Sequence, residues 1–266
     1  MSKPVLEDAF ATPDTKRAYN QRLFGTIADR YDFITRFLSF GYDQRWKRRL
    51  IDLCDVRPGQ RVLDLACGTG DLAGLARARG GLPIGLDLTP RMIELARIRA
   101  AAARPSAATN GGPAVGTSAP DARWLVGDMG ALPIAPASVD LVTTGYGLRN
   151  VPDLTRAIGE IARVLRPGGL LGALDFDRPE SPALRRVYLA HLTLVGSSLG
   201  FVLHGDPDTY RYIPASIRRY PGARGVVSML EKAGFVDVRH VPVFGGFMAI
   251  HLARKPPSGP STGRVA

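Results

Sequence analysis

The amino-acid sequence predicts an α/β protein built on a seven-stranded, mostly parallel sheet. Short apolar runs alternate with helical segments from residue 61 onward, a glycine-rich turn follows the first run, and two adjacent strand-like runs close the chain. Strands that alternate with helices pair in parallel and carry helices on both faces of the sheet. The 266 residues suit one large domain. We therefore expect a Rossmann-like fold with one antiparallel strand in a C-terminal hairpin.

The chain begins with a helical segment, residues 1–56. Apolar residues such as Phe24, Ile27 and Tyr31 recur at the spacing of a helix, and WKRRLIDL continues that pattern. A second unit, residues 57–255, contains the alternating strands and helices. Its predicted strands are RVLDLA, PIGLDL, ARWLVGD, DLVTTG and LLGALDF, followed by FVDVRHVPV and FMAIHLARK in the terminal hairpin.

Three segments depart from this alternation. Residues 178–225 form a long insertion with helix-like parts, which can cover the ligand crevice at the carboxyl ends of the strands as a substrate-side lid. Residues 105–120 are small, polar and rich in glycine and proline, so they predict a flexible loop. Residues 256–266 have a similar composition and predict a disordered tail.

The net charge and the cysteine count restrict which binding partners and which cell compartment we expect. The net charge of +11 suits an acidic partner, such as nucleic acid, an anionic membrane or an anionic ligand. Arginines spread evenly along the chain explain that charge equally well. The two cysteines form no CxxC pair, and the N-terminus has no apolar core of a secretory signal, so we expect a cytoplasmic protein without a metal site. A loop typical of base-methylating enzymes is missing after the fourth strand, so we expect no nucleic-acid partner.

The turn after the first strand, VLDLACGTGDLA, is rich in glycine. Gly68 and Gly70 allow the backbone to turn tightly, and the helix that opens at Asp71 presents its N-terminal amides. Such a turn also fits dinucleotide binding, but the pattern G-x-G-x-x-G is incomplete because Ala73 stands at the third glycine. Asp64, inside the preceding strand, suits a ligand with a cationic amino group and would repel a pyrophosphate.

Acids at the ends of the next two strands narrow the choice of ligand. Asp87 ends the second strand, where a carboxylate accepts hydrogen bonds from ribose hydroxyls. Asp128 ends the third, where it can accept a hydrogen bond from an adenine amino group while Met129 packs on the ring. Each acid alone is more often a helix cap or a turn residue. An ammonium, a ribose and an adenine partner at three strand ends together describe S-adenosylmethionine.

The sequence resembles the quinone-biosynthesis C-methyltransferases, which are class I methyltransferases, over nearly its whole length. YDFITRFLSFGYDQRWKR, YGLRNV and DPDTYRYIPASIRRYP are specific to that family, whereas VLDLACGTGDL and RVLRPGG mark only the superfamily. The resemblance implies S-adenosyl-L-methionine as methyl donor and a prenylated quinol as acceptor. We expect methylation of a ring carbon of demethylmenaquinol to give menaquinol. A benzoquinol of ubiquinone biosynthesis and a phenolic natural product are the alternative acceptors, and a non-catalytic binding subunit is the alternative outside enzymes.

The resemblance also implies cofactor contacts. They fall here on Thr69, Asp87, Asp128 and Met129, while Gly145 stands where the family often has serine and offers only its backbone. Together with the turn and the acid before it, the expected cofactor-binding residues are Asp64, Gly68, Thr69, Gly70, Asp87, Leu88, Asp128, Met129 and Gly145.

The motif YGLRNV supplies the first candidates for catalysis. A ring carbon is a poor nucleophile unless the reduced ring carries a phenolate. Arginine is always protonated, so Arg149 cannot be an ordinary base, but it can stabilise the phenolate and orient a water that removes the proton. A structural ion pair with Asp175 or Asp177 is the alternative. Asn150 can hold a quinol oxygen or cap the helix that begins near residue 152.

Three further polar residues are candidates for the reaction. Tyr146 belongs to the same motif, and His204 and Asp206 lie in the insertion beside tyrosines that can flank a flat ring. A neutral histidine can act as a base near physiological pH, although a helix-end or surface position explains His204 better.

The isoprenoid tail of the expected substrate needs an apolar groove or the bilayer itself. Phe33, Phe37, Trp46 and Lys47 of the helical segment, with nearby arginines, can lie against anionic headgroups. An amphipathic helix that packs on the sheet is the alternative. LTLVGSSLGFVL is too short for a membrane span, since a span needs about 20 residues, but it can rest on a bilayer. A homodimer is a further expectation.

Overall fold

A computed structural model describes residue 6 and residues 8–103, 122–179, 181–206 and 209–258. The predicted flexible loop, residues 105–120, lies outside the described residues. So does the predicted tail, residues 256–266, from residue 259 onward. The expected boundaries of the segments remain predictions.

Seven strands form one sheet. They are β1 (Arg61–Leu65), β2 (Leu82–Asp87), β3 (Arg123–Val126), β4 (Val139–Gly145), β5 (Leu165–Phe176), β6 (Val236–Val243) and β7 (Met248–Arg254). Their order in the sheet is β3-β2-β1-β4-β5-β7-β6. Strands β1 to β5 run parallel, and β7 is antiparallel to both β5 and β6. The predicted fold class is therefore confirmed.

Helices flank the sheet and cover its carboxyl edge. They are α1 (Pro13–Ile27), α2 (Tyr31–Leu38), α3 (Asp43–Cys54), α4 (Asp71–Ala78), α5 (Pro90–Ala102), α6 (Leu154–Val164), α7 (Pro182–His204), α8 (Tyr212–Arg219) and α9 (Gly222–Lys232). Local signals set several ends: Thr12 and Thr15 form a capping box at α1, the Asp153 carboxylate caps α6, and Gly205 ends α7 in the left-handed conformation.

The central strands β1 and β4 are buried on both faces, and their alternate residues supply two hydrophobic cores. Leu63 and Val142 face the core that α6 and α9 cover, whereas Val62 and Leu141 face the core that α3 and α4 cover. A third, smaller core joins α1, α2, α7 and α8 around Tyr210. This third core lies outside the sheet layers and holds the four helices together.

Two elements differ from the sequence-based expectation. Strand β5 begins at Leu165, before the predicted start at residue 170, because Leu165 already pairs with Val139 across a bulge. Helix α7 is continuous over 23 residues, although its glycines and serines suggested a broken helix. Gly196 is tolerated because it packs closely against Tyr210, where an added Cβ would lie 3.2 Å from the Tyr210 Cβ.

Candidate active site

Two small adjoining cavities lie at the carboxyl ends of β1, β2 and β4; we call them the donor cavities. Both have Ala66, Gly68 and Gly145 in their walls. Every residue expected to bind the cofactor lines at least one of them, with the exception of Gly70. Gly70 instead precedes α4 at a φ of +89°, and an added Cβ there would lie 2.5 Å from the Trp124 ring. Its role is therefore to shape the turn.

The two innermost acids of the donor cavities also hold the turn. The Asp64 carboxylate accepts hydrogen bonds from the Thr143 hydroxyl at 3.0 Å and the Ala73 amide at 3.1 Å. The Asp87 carboxylate accepts from the amides of Gly68 at 2.9 Å and Thr89 at 2.8 Å. Burial raises the pKa of Asp64 to about 7 and raises that of Asp87 as well. These carboxylates fit a ligand that brings positive charge or hydroxyl donors.

The outer acid of the donor cavities already has partners. One Asp128 oxygen accepts from the Gly130 amide at 2.7 Å, and the other pairs with the Arg17 guanidinium of α1 at 2.9 Å. The Thr69 hydroxyl donates to Asp32 at 2.8 Å. Helices α1 and α2 therefore contact the same polar groups that the sequence assigns to a ligand.

A larger cavity of about 730 Å³ lies between α1, α2, α7 and α8 and reaches the ends of β4 and β5. We call it the acceptor cavity. Its walls are mostly apolar, and Arg149 is one of few charged side chains that reach it. The apolar residues include Leu23, Phe24, Ile27, Phe37, Leu184, Val187, Leu192, Val195, Ile213 and Phe247. A cavity of this size and character accommodates a flat hydrophobic ring with part of an apolar chain.

Two tyrosines join the acceptor and donor cavities. Tyr31 and Tyr146 line all three, and Phe24 lines the acceptor cavity and one donor cavity. Tyr146 adopts a φ of +62°, which is rare for a residue with a Cβ and frequent at functional sites. Its hydroxyl donates to the Asp43 carboxylate at 2.6 Å. The motif YGLRNV thus turns sharply where the two kinds of cavity meet.

Arg149 is buried at the wall of the acceptor cavity. Its Nη1 donates to the Asp175 carboxylate at 2.9 Å and to the Tyr146 carbonyl at 3.0 Å, and its backbone amide donates to Asp175 at 3.1 Å. The guanidinium carbon lies 4.4 Å from the centre of the Phe176 ring. Among the described residues, the Arg149 Nε has no hydrogen-bond partner. The ion pair with Asp175 is therefore present, and one buried donor of the guanidinium, Nε, is not used by it.

Asn150 lies on the donor side. It lines a donor cavity and donates from its amide to the Tyr146 carbonyl at 2.8 Å. The helix that follows is capped by Asp153, whose carboxylate accepts from the Arg156 amide at 3.0 Å. The alternative that Asn150 caps this helix is therefore wrong, because the helix begins three residues too late for Asn150 to reach its free amides.

The structure does not bring His204 and Asp206 to any of the three cavities. They lie at and just beyond the end of α7, and the His204 ring is 2.9 Å from the Tyr210 hydroxyl. Burial lowers the pKa of His204. The catalytic role of both residues stays a prediction, and the geometry favours the helix-end interpretation of His204.

Lys47 is a site residue that the sequence did not reveal. It was expected near membrane headgroups, but it is buried and donates to Asp43 at 2.8 Å and to Asp71 at 2.7 Å beside a donor cavity. Burial opposes its charge, yet Asp71 and Asp43 raise the pKa of Lys47. Trp46 is buried as well. The spacing of α3 could have revealed Lys47, because it lies three and four residues before the buried Leu50 and Ile51 and so shares their helix face.

Comparison with known proteins decides the family. The model of the ubiE/COQ5 methyltransferase family matches residues 12–255. The chain belongs to the ubiE/COQ5 methyltransferase family. A demethylmenaquinone methyltransferase of Thermus thermophilus is 39% identical over 236 residues, which cover 88% of this chain and 100% of that relative. A ubiquinone/menaquinone biosynthesis C-methyltransferase UbiE of Dinoroseobacter shibae is 37% identical, covering 91% of this chain and 92% of that relative.

A further relative and a solved structure extend the comparison. A 2-phytyl-1,4-naphtoquinone methyltransferase of Thermosynechococcus vestitus is 36% identical, covering 88% of this chain and 98% of that relative. The crystal structure of a SAM-dependent methyltransferase from Thermotoga maritima matches with a TM-score of 0.60 and 20% identity, covering 88% of this chain and 99% of that one. As a member of the ubiE/COQ5 methyltransferase family, this enzyme is a methyltransferase that uses S-adenosyl-L-methionine as methyl donor.

Proposed function

We propose that this enzyme methylates a ring carbon of a prenylated naphthoquinol and converts demethylmenaquinol to menaquinol. The observation that carries the proposal is the buried Arg149, which lines an apolar cavity of about 730 Å³ that adjoins the donor cavities. The names of the similar proteins from Thermus and Thermosynechococcus support a naphthoquinone acceptor. A benzoquinol stays the alternative, since the name of the Dinoroseobacter relative includes ubiquinone.

The residues of the donor cavities fit S-adenosylmethionine. Asp87 would hold the ribose hydroxyls, Asp128 with Met129 the adenine, and Asp64 the ammonium group; the turn from Gly68 would lie against the ligand backbone. Lys47, next to Asp64 and Asp71, would hold the carboxylate. The buried Asn150 Oδ1, which has no partner within the described part of the chain, can accept a further ligand hydrogen. When bound, the cofactor supplies an electrophilic methyl group.

Arg149 would stabilise the quinol as a phenolate. Its guanidinium can donate to a phenolate oxygen at the wall of a mostly apolar cavity, where a fixed donor acts more strongly than in water. Water would take the phenolic proton, and the charge of the phenolate would be shared with the ring carbon that receives the methyl group. That carbon would then lose its own proton to water, which restores an aromatic phenolate, and protonation of the phenolate oxygen would give the quinol. Tyr31 and Tyr146 would flank the ring where the cavities meet.

A competition assay tests the acceptor. Purified enzyme receives labelled S-adenosylmethionine with equal amounts of reduced demethylmenaquinone and a reduced demethylated benzoquinone, both in liposomes. We expect methylated naphthoquinol as the main product. Preference for the benzoquinol would move the function to ubiquinone biosynthesis, and transfer to neither would move it to another phenolic acceptor. An oxidised quinone is the control, since it has no phenolic hydroxyl and should receive no methyl group.

Binding of the cofactor should depend on pH through Asp64. Burial raises the pKa of this carboxyl to about 7, so it is largely protonated below that pH in the free enzyme. A cationic ligand favours the ionised form. Affinity for S-adenosylmethionine should therefore fall as the pH drops below about 7, by up to about tenfold per pH unit, and level off above it. Calorimetric titration between pH 5.5 and 8 measures it. The Asp64→Asn variant should give a flat profile, and an unchanged slope in that variant would exclude Asp64 as the cause.

We further propose that the enzyme acts at the cytoplasmic surface of a membrane. Phe33 and Phe37 of α2 and Leu194 and Phe201 of α7 are each more than half exposed. Among the described residues, α7 is one helix that is long and apolar enough to cross a membrane by length and composition alone, and only 22% of its most apolar 18-residue stretch is buried. Phe37 and, in α7, Val187 are exposed and also line the acceptor cavity. A prenyl tail in the bilayer could therefore enter along this face.

Vesicle flotation tests the membrane proposal. The net charge of +11 favours anionic lipid, and Arg36 of α2 and Arg186 of α7 are exposed cations on the same two helices. Replacing Phe33, Phe37 and Phe201 by serine should reduce the fraction bound to phosphatidylglycerol vesicles by about tenfold or more. The control is Ile98→Ser, which removes an exposed apolar residue of α5. Unchanged binding would contradict the proposal.

A homodimer is a further proposal, and it would bury the same exposed apolar residues. If it forms through them, light scattering should report a dimer for the wild type and a monomer for the variant with the three serines.

A further inference from the structure

Helix α1 holds the backbone of the segment Arg149–Val151. The Lys16 ammonium donates to the carbonyl oxygens of Arg149 at 3.1 Å and Val151 at 2.7 Å. The Asn20 amide donates to the carbonyl of Asn150. Lys16 and Asn20 are four residues apart and therefore lie on one face of the helix. One helix thus binds the carbonyls of three successive residues, and the first of these residues is Arg149.

The position of Lys16 is unfavourable without these acceptors. Burial and the nearby Arg149 charge lower the pKa of Lys16 to about 8. Two cations at close range in a partly buried place repel each other, so the carbonyl oxygens have to compensate. Asn20 is only 4% exposed, and its amide reaches the same segment. Neither side chain is placed as an ordinary solvated residue on the surface of a helix.

The same helix borders both sites. Arg17 pairs with Asp128 at 2.9 Å, and Asn20 and Phe24 line a donor cavity. Phe24 also lines the acceptor cavity. From the opposite side, Asp175 binds the amide and the guanidinium of Arg149. The Arg149 segment is therefore held between α1, which binds its carbonyls, and β5, which binds its donors.

We propose that Lys16 and Asn20 are positioning residues for methyl transfer. They hold the backbone of Arg149–Val151 so that the Arg149 guanidinium stays at the wall of the acceptor cavity. The proposal rests on the proposed function of Arg149, through which both residues act. It predicts that their removal costs turnover and that this cost disappears once Arg149 itself is removed.

A double-mutant cycle tests the proposal. Lys16→Met keeps the aliphatic stem and removes the donors, and Asn20→Leu removes the amide. Each should lower kcat by about ten- to a hundredfold. The KM for S-adenosylmethionine should stay within about threefold of the wild type in Lys16→Met, because Lys16 lines neither donor cavity. In the Arg149→Ala background, the same substitutions should lower kcat by less than about twofold. Arg22→Met is the matched control, because it removes an exposed cation from the same helix.

Three results separate the possible outcomes. Losses that multiply in the Arg149→Ala background would overturn the proposal, since Lys16 and Asn20 would then act independently of Arg149. Wild-type kcat in both single variants would overturn it as well. Normal turnover of Arg149→Ala alone would instead contradict the function proposed for Arg149. If Asn20→Leu fails to fold, Asn20→Asp removes the same donor. Lys16→Arg, which can donate to both carbonyls, should recover most of the turnover lost in Lys16→Met.

Discussion

Replacing Arg149 by alanine should lower kcat by about a hundred- to a thousandfold, which is the range for the loss of one fixed donor to a developing oxyanion. The affinity for S-adenosylmethionine should change by less than about threefold, because Arg149 lines the acceptor cavity and not the donor cavities. Single-turnover methyl transfer and calorimetric titration of the cofactor measure the two quantities separately.

The conservative variant sharpens this prediction. Arg149→Lys keeps a positive charge but loses the planar guanidinium whose Nη1 binds both Asp175 and the Tyr146 carbonyl. It should recover only a small part of the lost turnover. Near-normal turnover in a well-folded Arg149→Ala protein would remove the catalytic role and leave Arg149 as the partner of a structural ion pair.

Replacing Asp175 by alanine should destabilise the protein by about 3–5 kcal/mol, the range for breaking one side of a buried ion pair. The Asp175 side chain is 0% exposed and the Arg149 side chain 7% exposed. The variant leaves the guanidinium without its counter-charge, and it leaves the amides of Arg149 and Phe176 without an acceptor. Urea-induced unfolding measures the change.

Two control variants accompany this prediction. Asp29→Ala breaks an exposed pair with Arg91 and should change the free energy of unfolding far less than Asp175→Ala does. The double variant Asp175→Leu with Arg149→Met removes both charges and should recover much of the lost stability while remaining inactive. A loss below about 1 kcal/mol for Asp175→Ala would mean that water reaches the guanidinium and that the site is less enclosed than its burial indicates.

The donor side of the site could be predicted from the sequence because its residues follow strand ends. Parallel strands place their carboxyl ends at one edge, so Asp64, Asp87 and Asp128 meet there wherever the helices lie. The same logic predicted the fold, since the alternation of strands and helices is a local pattern. The motif YGLRNV drew Arg149 into the predicted site, and its catalytic role stays a prediction. The ion pair with Asp175, which the sequence offered as the alternative, is present because the adjacent strands β4 and β5 end side by side.

The contacts that the helices bring to the site depend on how distant elements pack, which local patterns do not encode. Lys47 was assigned to an exposed basic face, yet Asp43 and Asp71 bury it, and Asp71 is 24 residues away. His204 was placed near the substrate because it belongs to the insertion, but the end of α7 directs it to Tyr210. Lys16 was not predicted as a site residue, because its carbonyl partners are more than a hundred residues away in the chain.

The most direct test of the proposed ring-carbon methylation is the position of the transferred methyl group. The wild-type enzyme would receive reduced demethylmenaquinone in liposomes and S-adenosylmethionine with a deuterated methyl group, and the product would be analysed by mass spectrometry and nuclear magnetic resonance. We expect a deuterated methyl group on a ring carbon of the product, with both hydroxyl groups unmethylated. A methyl ether, or no transfer while cofactor binding is intact, would contradict it.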